Sequence, residues 1–93
     1  ALKSPSPAIQ AEAASQLLAQ GEAEGFEALR RLSVSPDDEI RRRVLESLVR
    51  HPQVDREGTL RVLTQFLSDA KLEIRQRAVA GLEQVVGPDK DWE

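Results

Sequence analysis

In the segment Asp37–Val49, DDEIRRRVLESLV, the hydrophobic positions fall on one side of a helix and most of the charged positions that follow Ile40 on the other. With Ile40 as origin and about 100° per residue, Val44, Leu48, Leu45 and Val49 lie between roughly 40° and 180°. Arg42, Arg43, Glu46 and Arg50 lie opposite. The spacing Ile-x3-Val-Leu-x2-Leu returns further along the chain as Ile74, Ala78, Val79 and Leu82. It also occurs earlier, as Ile9, Ala13, Ala14 and Leu17. One half-buried helix cannot hide its apolar face alone, whereas stacked copies can, so this recurrence predicts an array of helical repeats.

Punctuation between the copies supplies the remaining elements. Ser6 is expected to cap a first helix with Pro7 as its first residue, running to about Gln20 and stopped by Gly21. Its wheel places Ile9, Ala13, Ala14 and Leu17 inside, with Ala11, Glu12, Ser15 and Ala19 outside. A second helix from near Gly25 carries Phe26, Leu29 and Leu32 inward and ends before Ser35-Pro36. Ser35 is expected to cap the central helix, residues 36–50, with Pro36 in its first turn. Asp37, Asp38 and Glu39 then sit at the positive end of its dipole. After a loop at 52–57, a fourth helix over 58–67 turns Leu60, Leu63, Phe66 and Leu67 inward.

The shift that carries Ile40 to Ile74 also carries Phe26, Leu29 and Leu32 onto Leu60, Leu63 and Phe66, so pairs of helices repeat. Asp69 takes the capping slot of Ser35 before a fifth helix over 71–86. That helix carries Ile74, Ala78, Val79, Leu82, Val85 and Val86 in one sector and stops at Gly87-Pro88. Glu39–Arg43, Arg42–Glu46 and Glu73–Arg77 have the spacing of helix-surface ion pairs. No alternating stretch suggests a strand. The expected fold is an all-α superhelix of five helices. It forms one domain over residues 1–93, with the array at about 7–87 and a polar tail at 88–93.

Composition narrows the core and the compartment. Only Phe26, Phe66 and Trp92 are aromatic, so the core must be aliphatic. There is no cysteine, hence no disulfide framework or thiolate metal site. No apolar run reaches the ~20 residues that span a bilayer, and no signal peptide is visible, so a soluble cytoplasmic protein is expected. The net charge of −3 disfavours a nucleic-acid coat. The charge is uneven: residues 30–61 hold eight Arg against six acids, between two acidic flanks. Arginine suits structured ion pairs and protein interfaces.

IRQRAVAGLEQVVG at 74–87 and DDEIRRRVLESLV at 37–49 resemble the second helix of HEAT repeats. The likeness is closest to the short bacterial HEAT-like repeats of phycobilisome-lyase type. Asp69, Ile74-Arg75, Ala78-Val79 and Leu82 match that pattern. Ile40-Arg41, Val44-Leu45 and Leu48 match with a heavier pair and with Ser35 in the Asp slot. In the first copy Ile9 is followed by Gln10, and no acid precedes it. The resemblance spans roughly residues 7–87 and implies a protein-binding scaffold. It also implies an Asp–Arg ladder between repeats, which Asp69 and Arg75 fit. Arg41 and Arg75 lie inside the apolar sector, where a charge needs a partner. Both are expected to be largely buried between repeats, bonded to an acid or to helix-end carbonyls.

Catalytic chemistry finds little support. His51 is the only histidine and sits at a helix end beside a proline, which suits capping. Asp37 and Asp38 are dipole partners, and no second cluster has metal-ligand spacing. Gly87 alone makes no phosphate loop. Arg41–Arg43 could grip phosphate, but interleaved acids and the lack of exposed aromatics disfavour nucleic acid. Trp92 is either a frayed tail residue, a cover for the core or an interface anchor.

The reading is a non-catalytic protein-interaction module without cofactor, metal or membrane contact. Its binding face is expected on the outward positions of the second helices: Glu12, Ser15, Arg42, Arg43, Glu46, Arg50, Gln76 and Arg77. That surface grades from acidic to basic, so weak head-to-tail self-association competes with a foreign partner. The alternative is a subunit or fragment of a larger HEAT-like protein assisting an enzyme, such as a bilin-lyase-like pigment-attachment component. An array that opens on a lone second helix, in a chain without methionine, points to excision from something longer.

Overall fold

The computed structural model of the chain describes residues 6–87. Five helices follow one another: α1 (Pro7–Ala19), α2 (Ala23–Leu32), α3 (Asp38–Arg50), α4 (Arg56–Phe66) and α5 (Leu72–Val86). A single 3₁₀ turn, Pro52–Val54, leads into α4, in the stretch expected to be loop. There is no strand among the described residues. The all-α repeat fold is the one that the recurring hydrophobic pattern predicts.

Helices α1, α3 and α5 lie side by side, with α2 packed on α1 and α3, and α4 on α3 and α5. Named contacts give the directions. Gly25 at the start of α2 meets Leu17 and Leu18 at the end of α1, and Ile9 near the start of α1 lies with Arg31 and Leu32 at the end of α2, so these two helices run antiparallel. Arg56 at the start of α4 donates to the Val85 carbonyl at the end of α5, 3.4 Å, so that pair is antiparallel too. By contrast Ser15 of α1 bonds Ser47 of α3, and Glu46 and Val49 of α3 meet Arg77 and Gly81 of α5. The inner row therefore runs parallel, in register with the sequence repeat.

Local chemistry sets the helix ends. The Ser6 hydroxyl accepts from the Ile9 N–H and Pro7 opens α1. The end of α1 is a Schellman turn: Glu22 N–H donates to the Leu17 carbonyl and Gly21 N–H to the Leu18 carbonyl, 2.9 Å each. Gly21 sits there at φ 84°, a backbone angle that costs a side-chain-bearing residue energy.

Two caps differ from expectation. Asp37, not Ser35, caps α3, its carboxylate accepting from Glu39 N–H at 3.0 Å, and Pro36 stays outside the helix. Ser35 instead accepts from Asp37 N–H, 3.2 Å, closing the turn ahead of the cap. Asp69 likewise accepts from the N–H of Lys71, 2.8 Å, and Lys71 is the cap residue of α5. Ser35 and Asp69 thus do the same job in successive repeats, two positions before the cap. Asp55 caps α4 by accepting from Gly58 N–H at 2.9 Å, which starts that helix two residues early at Arg56.

The core is one seam through all five helices, aliphatic except for Phe26 and Phe66, centred on Leu29, Val44, Leu48, Leu63, Phe66 and Ala78. Burying each Leu or Phe contributes roughly 1.5–3 kcal/mol relative to exposure. The apolar sector is wider than the covered sector at both ends of the array. Ile9 is 58 % exposed while Ile40 and Ile74 are 2 %, and Ala13 is exposed as well. The wheel of α1 copies that of α3, but its Ile9–Ala13 edge lines an open groove with Ala28, Arg31 and Leu32 of α2 and is not covered. Its buried residues are instead Ala11, Ala14 and Leu18, which face α2 and α3. At the other end Val79, Val86 and Leu67, the residue after α4, are exposed although expected inward.

Small residues bring the helices close. A Cβ on Gly25 would meet backbone atoms of Leu18 and Ala14 at 2.5 and 2.7 Å. A Cβ on Gly81 would meet the Val49 side chain at 2.7 Å and no backbone. Gly25→Ala is therefore expected to cost about 1–3 kcal/mol through forced separation of α1 and α2. Gly81→Ala should cost less, because Val49 can turn and alanine favours helix by about 1 kcal/mol. Urea unfolding of both variants checks the order.

Candidate functional site

The register of α3 against α5 is held by one guanidinium. Arg41 Nε donates to Asp69 Oδ1 at 2.6 Å and Nη2 to Oδ2 at 3.0 Å, a bidentate pair across the repeat. Its Nη1 donates to the Ser35 carbonyl at 2.8 Å, within its own repeat. The side chains are 13 % and 6 % exposed, so both charges are nearly withdrawn from water. Burial pushes the Asp69 carboxyl up. The Arg41 hydrogen bond, the Lys71 N–H and the nearby Arg41 and Arg75 charges outweigh it and leave the carboxyl below its ordinary range. The Arg41 guanidinium is raised, chiefly by its bond to Asp69.

Arg75, half-buried, repeats part of this arrangement. Its Nη1 donates to the Asp69 carbonyl at 2.7 Å, as Arg41 does to Ser35, and reaches the Ala70 carbonyl at 3.4 Å. Asp69 thus serves both arginines, with its carboxylate on Arg41 and its carbonyl on Arg75.

Beside this clamp runs an alternating chain of charges at the surface. Glu39 accepts from Arg42 at 2.6 Å, and Arg42 reaches Glu73 at 3.6 Å. Glu73 accepts from Arg77 at 3.3 Å, and Arg77 donates to Glu46 at 3.0 Å. The Glu73–Arg77 spacing expected within α5 is present. Arg42 pairs with Glu39 three residues back and not with Glu46, because Glu46 turns to α5. No Glu39–Arg43 pair forms among the described residues, since Arg42 holds Glu39.

Two shallow troughs on the outward side of the inner row adjoin this chain. One, of about 400 Å³ between α1 and α3, is lined by Ala11, Glu12, Ser15, Arg43, Glu46, Ser47 and Arg50. The other, of about 420 Å³ between α3 and α5, is lined by residues including Val49, Arg77, Gly81 and Gln84. Glu46 and Arg50 border both. Six of the eight residues assigned to a binding face meet here: Glu12, Ser15, Arg43, Glu46, Arg50 and Arg77. Arg42 and Gln76 lie outside the two troughs, Arg42 reaching instead across to Glu73. Sequence reasoning missed Ser47, Gly81 and Gln84. The repeat register offered a signal, because it carries Ser47 onto Gly81 and Arg50 onto Gln84.

The cations of this face differ in what they have left to offer. Arg42 and Arg77 are held in the alternating chain. Arg43 and Arg50 are exposed, and neither has an acid within ion-pair distance among the described residues. They are seven residues apart on one helix face, a rise of about 10 Å.

Nothing resembling a reaction centre is assembled around the remaining candidates. His51 ends α3, its N–H donating to the Ser47 carbonyl at 3.2 Å. Asp38 lies 3.9 Å from Lys71. No group of three or more potential metal ligands occurs among the described residues. No helix among them is long and apolar enough to cross a membrane. Trp92 and the tail at 88–93 lie outside the described residues.

The family model for HEAT repeats matches residues 1–83 of the chain. The chain belongs to the HEAT-repeat family, whose repeats are generally protein-interaction scaffolds and typically non-catalytic. No curated protein and no solved structure matches it significantly.

Asp69→Asn retains an acceptor for Lys71 N–H but loses the charge facing Arg41. At neutral pH it should destabilise the fold by about 1.5–3 kcal/mol. The folded-state pKa of Asp69 is depressed, so the wild-type advantage is full above the ordinary aspartate pKa of about 4. It is lost as pH falls through the lowered value. Denaturation curves of the two proteins should converge in acid; a gap independent of pH would assign the effect to packing.

Proposed function

We propose that the protein is a non-catalytic binding module whose outward inner-row face, centred on Arg43 and Arg50, docks an acidic segment of another protein. The observation that carries this reading is the contrast among the arginines. Arg41, Arg42 and Arg77 are satisfied within the molecule, whereas Arg43 and Arg50 offer planar, multi-donor groups to solvent between two troughs. Each can take a carboxylate in bidentate fashion, and arginine is enriched among residues that dominate binding energy. Gly81 and Ala80 keep the adjoining trough floor low, so an extended or helical segment can lie across α3 without meeting large side chains.

The test is charge reversal at the two uncommitted positions. Arg42 is left intact, because Arg42→Glu would face Glu39 and Glu73 and disturb the fold. The chain and its Arg43→Glu, Arg50→Glu variant serve as paired baits in a lysate of the source organism, with circular dichroism confirming equal folding. Proteins retained by the wild type and lost by the variant are expected. For the retained partner, association should slow roughly tenfold or more at low salt and less at high salt. Equal capture and equal affinity would place the binding surface elsewhere.

A further inference from the structure

A second surface lies on the far side of α5, away from the troughs. Leu72, Val79 and Val86 recur every seven residues and are 58, 49 and 43 % exposed. Arg75 and Leu82 lie between them, so the five form one seam along the helix, with the spacing by which helices pair. The molecule contains a covered copy of this seam. Leu45 and Leu48 of α3 stand one repeat before Val79 and Leu82, and are 3 and 0 % exposed because α4 and α5 lie over them. Arg41 stands one repeat before Arg75 and holds the Asp69 carboxylate from the covering layer. Arg75 makes the carbonyl half of that pattern, and no carboxylate of the described residues lies in ion-pair range of it. At its ends the outer seam carries Leu72 and Val86, where the α3 copy has Asp38, itself exposed, and Pro52.

We propose that this seam docks an amphipathic helix of another protein, led by an aspartate that pairs with Arg75 as Asp69 pairs with Arg41. Charge complementarity and continuity with the α3–α5 interface define the occupant. A second copy of this chain does not fit. The position equivalent to Ser35 and Asp69 ahead of α1 is Ser4, and residues 1–6 contain no acid. The surface is separate from the Arg43–Arg50 face, so reversal of those two residues leaves it unchanged.

The probe is a fluorescein-labelled peptide of residues 56–87, which carries the natural example of the covering layer. It is titrated by anisotropy against the full chain. Saturable binding is expected, weakened roughly tenfold or more by Arg75→Gln in the protein, the loss of a charge-assisted bond. Asp69→Asn in the peptide should weaken it similarly, and the two changes together should add little. Val79→Asp, at an exposed position that leaves the fold intact, should abolish binding, and Arg77→Gln should not alter it. Four results would overturn the proposal. One is the absence of binding; another is binding indifferent to Arg75→Gln and Val79→Asp. A third is binding only by a chain ending at Gly87, which would assign the seam to the chain's own last residues. The fourth is self-association removed by Val79→Asp, which would assign it to a second copy.

Discussion

A guanidinium among leucines is tolerable only when each of its donors is met, and Arg41 satisfies that condition by using two repeats at once. Its own repeat supplies the Ser35 carbonyl and the next supplies the Asp69 carboxylate. The pair therefore acts as a gauge of register, because sliding α5 along α3 by a turn would strand two charges that are nearly out of water. The turn before α5 is shaped by the same residue. One Asp69 oxygen accepts from Lys71 N–H while the carboxylate faces Arg41, so helix initiation and layer stacking share one side chain. The first layer has Gln10 and Ser35 at the corresponding positions. Both members are uncharged there, so neither layer carries half of an ion pair.

With register held at the loop end, small residues decide how near the helices come. Ala11, Ala14, Gly25 and Gly81 stand at the crossings, and the aliphatic seam fills what remains. This division of labour leaves Arg43 and Arg50, on the outward side of α3, free of structural duty. The alternating chain from Glu39 to Glu46 absorbs Arg42 and Arg77, each link individually weak in solvent. What it leaves exposed is Arg43 and Arg50, so the surface available to a partner is a remainder set by the internal pairing.

The helices themselves are legible in the sequence because the hydrophobic period, Gly21, the Ser6-Pro7 start and the Gly87 stop are all local signals. The caps are less so. Ser35, Asp37 and Asp38 all carry an oxygen that could accept from a helix N–H, and only the backbone geometry selects Asp37. The expected burial of Ile9, Val79 and Val86 fails for a different reason. An apolar sector shows what a helix can bury, while the number of layers shows what it does bury, and among the described residues α1 and α5 each have an inner-row neighbour on one side only. Among the arginines, the depth of Arg41 on the wheel signals a buried partner. Which oxygen of Asp69 goes to which arginine depends on the distance between layers, which no single helix encodes. The troughs show the same limit: Ser47 and Gln84 have the right wheel positions but carry no charge to draw attention.

A double-mutant cycle on Arg41→Gln and Asp69→Asn, measured by urea unfolding at neutral pH, tests the clamp most directly. Bonded as the distances require, the two side chains should couple by about 1.5–3 kcal/mol, while Arg75→Gln, which touches the Asp69 backbone, should couple to Asp69→Asn far less. A coupling between Arg41 and Asp69 below about 0.5 kcal/mol, no larger than that of an exposed pair, would contradict it.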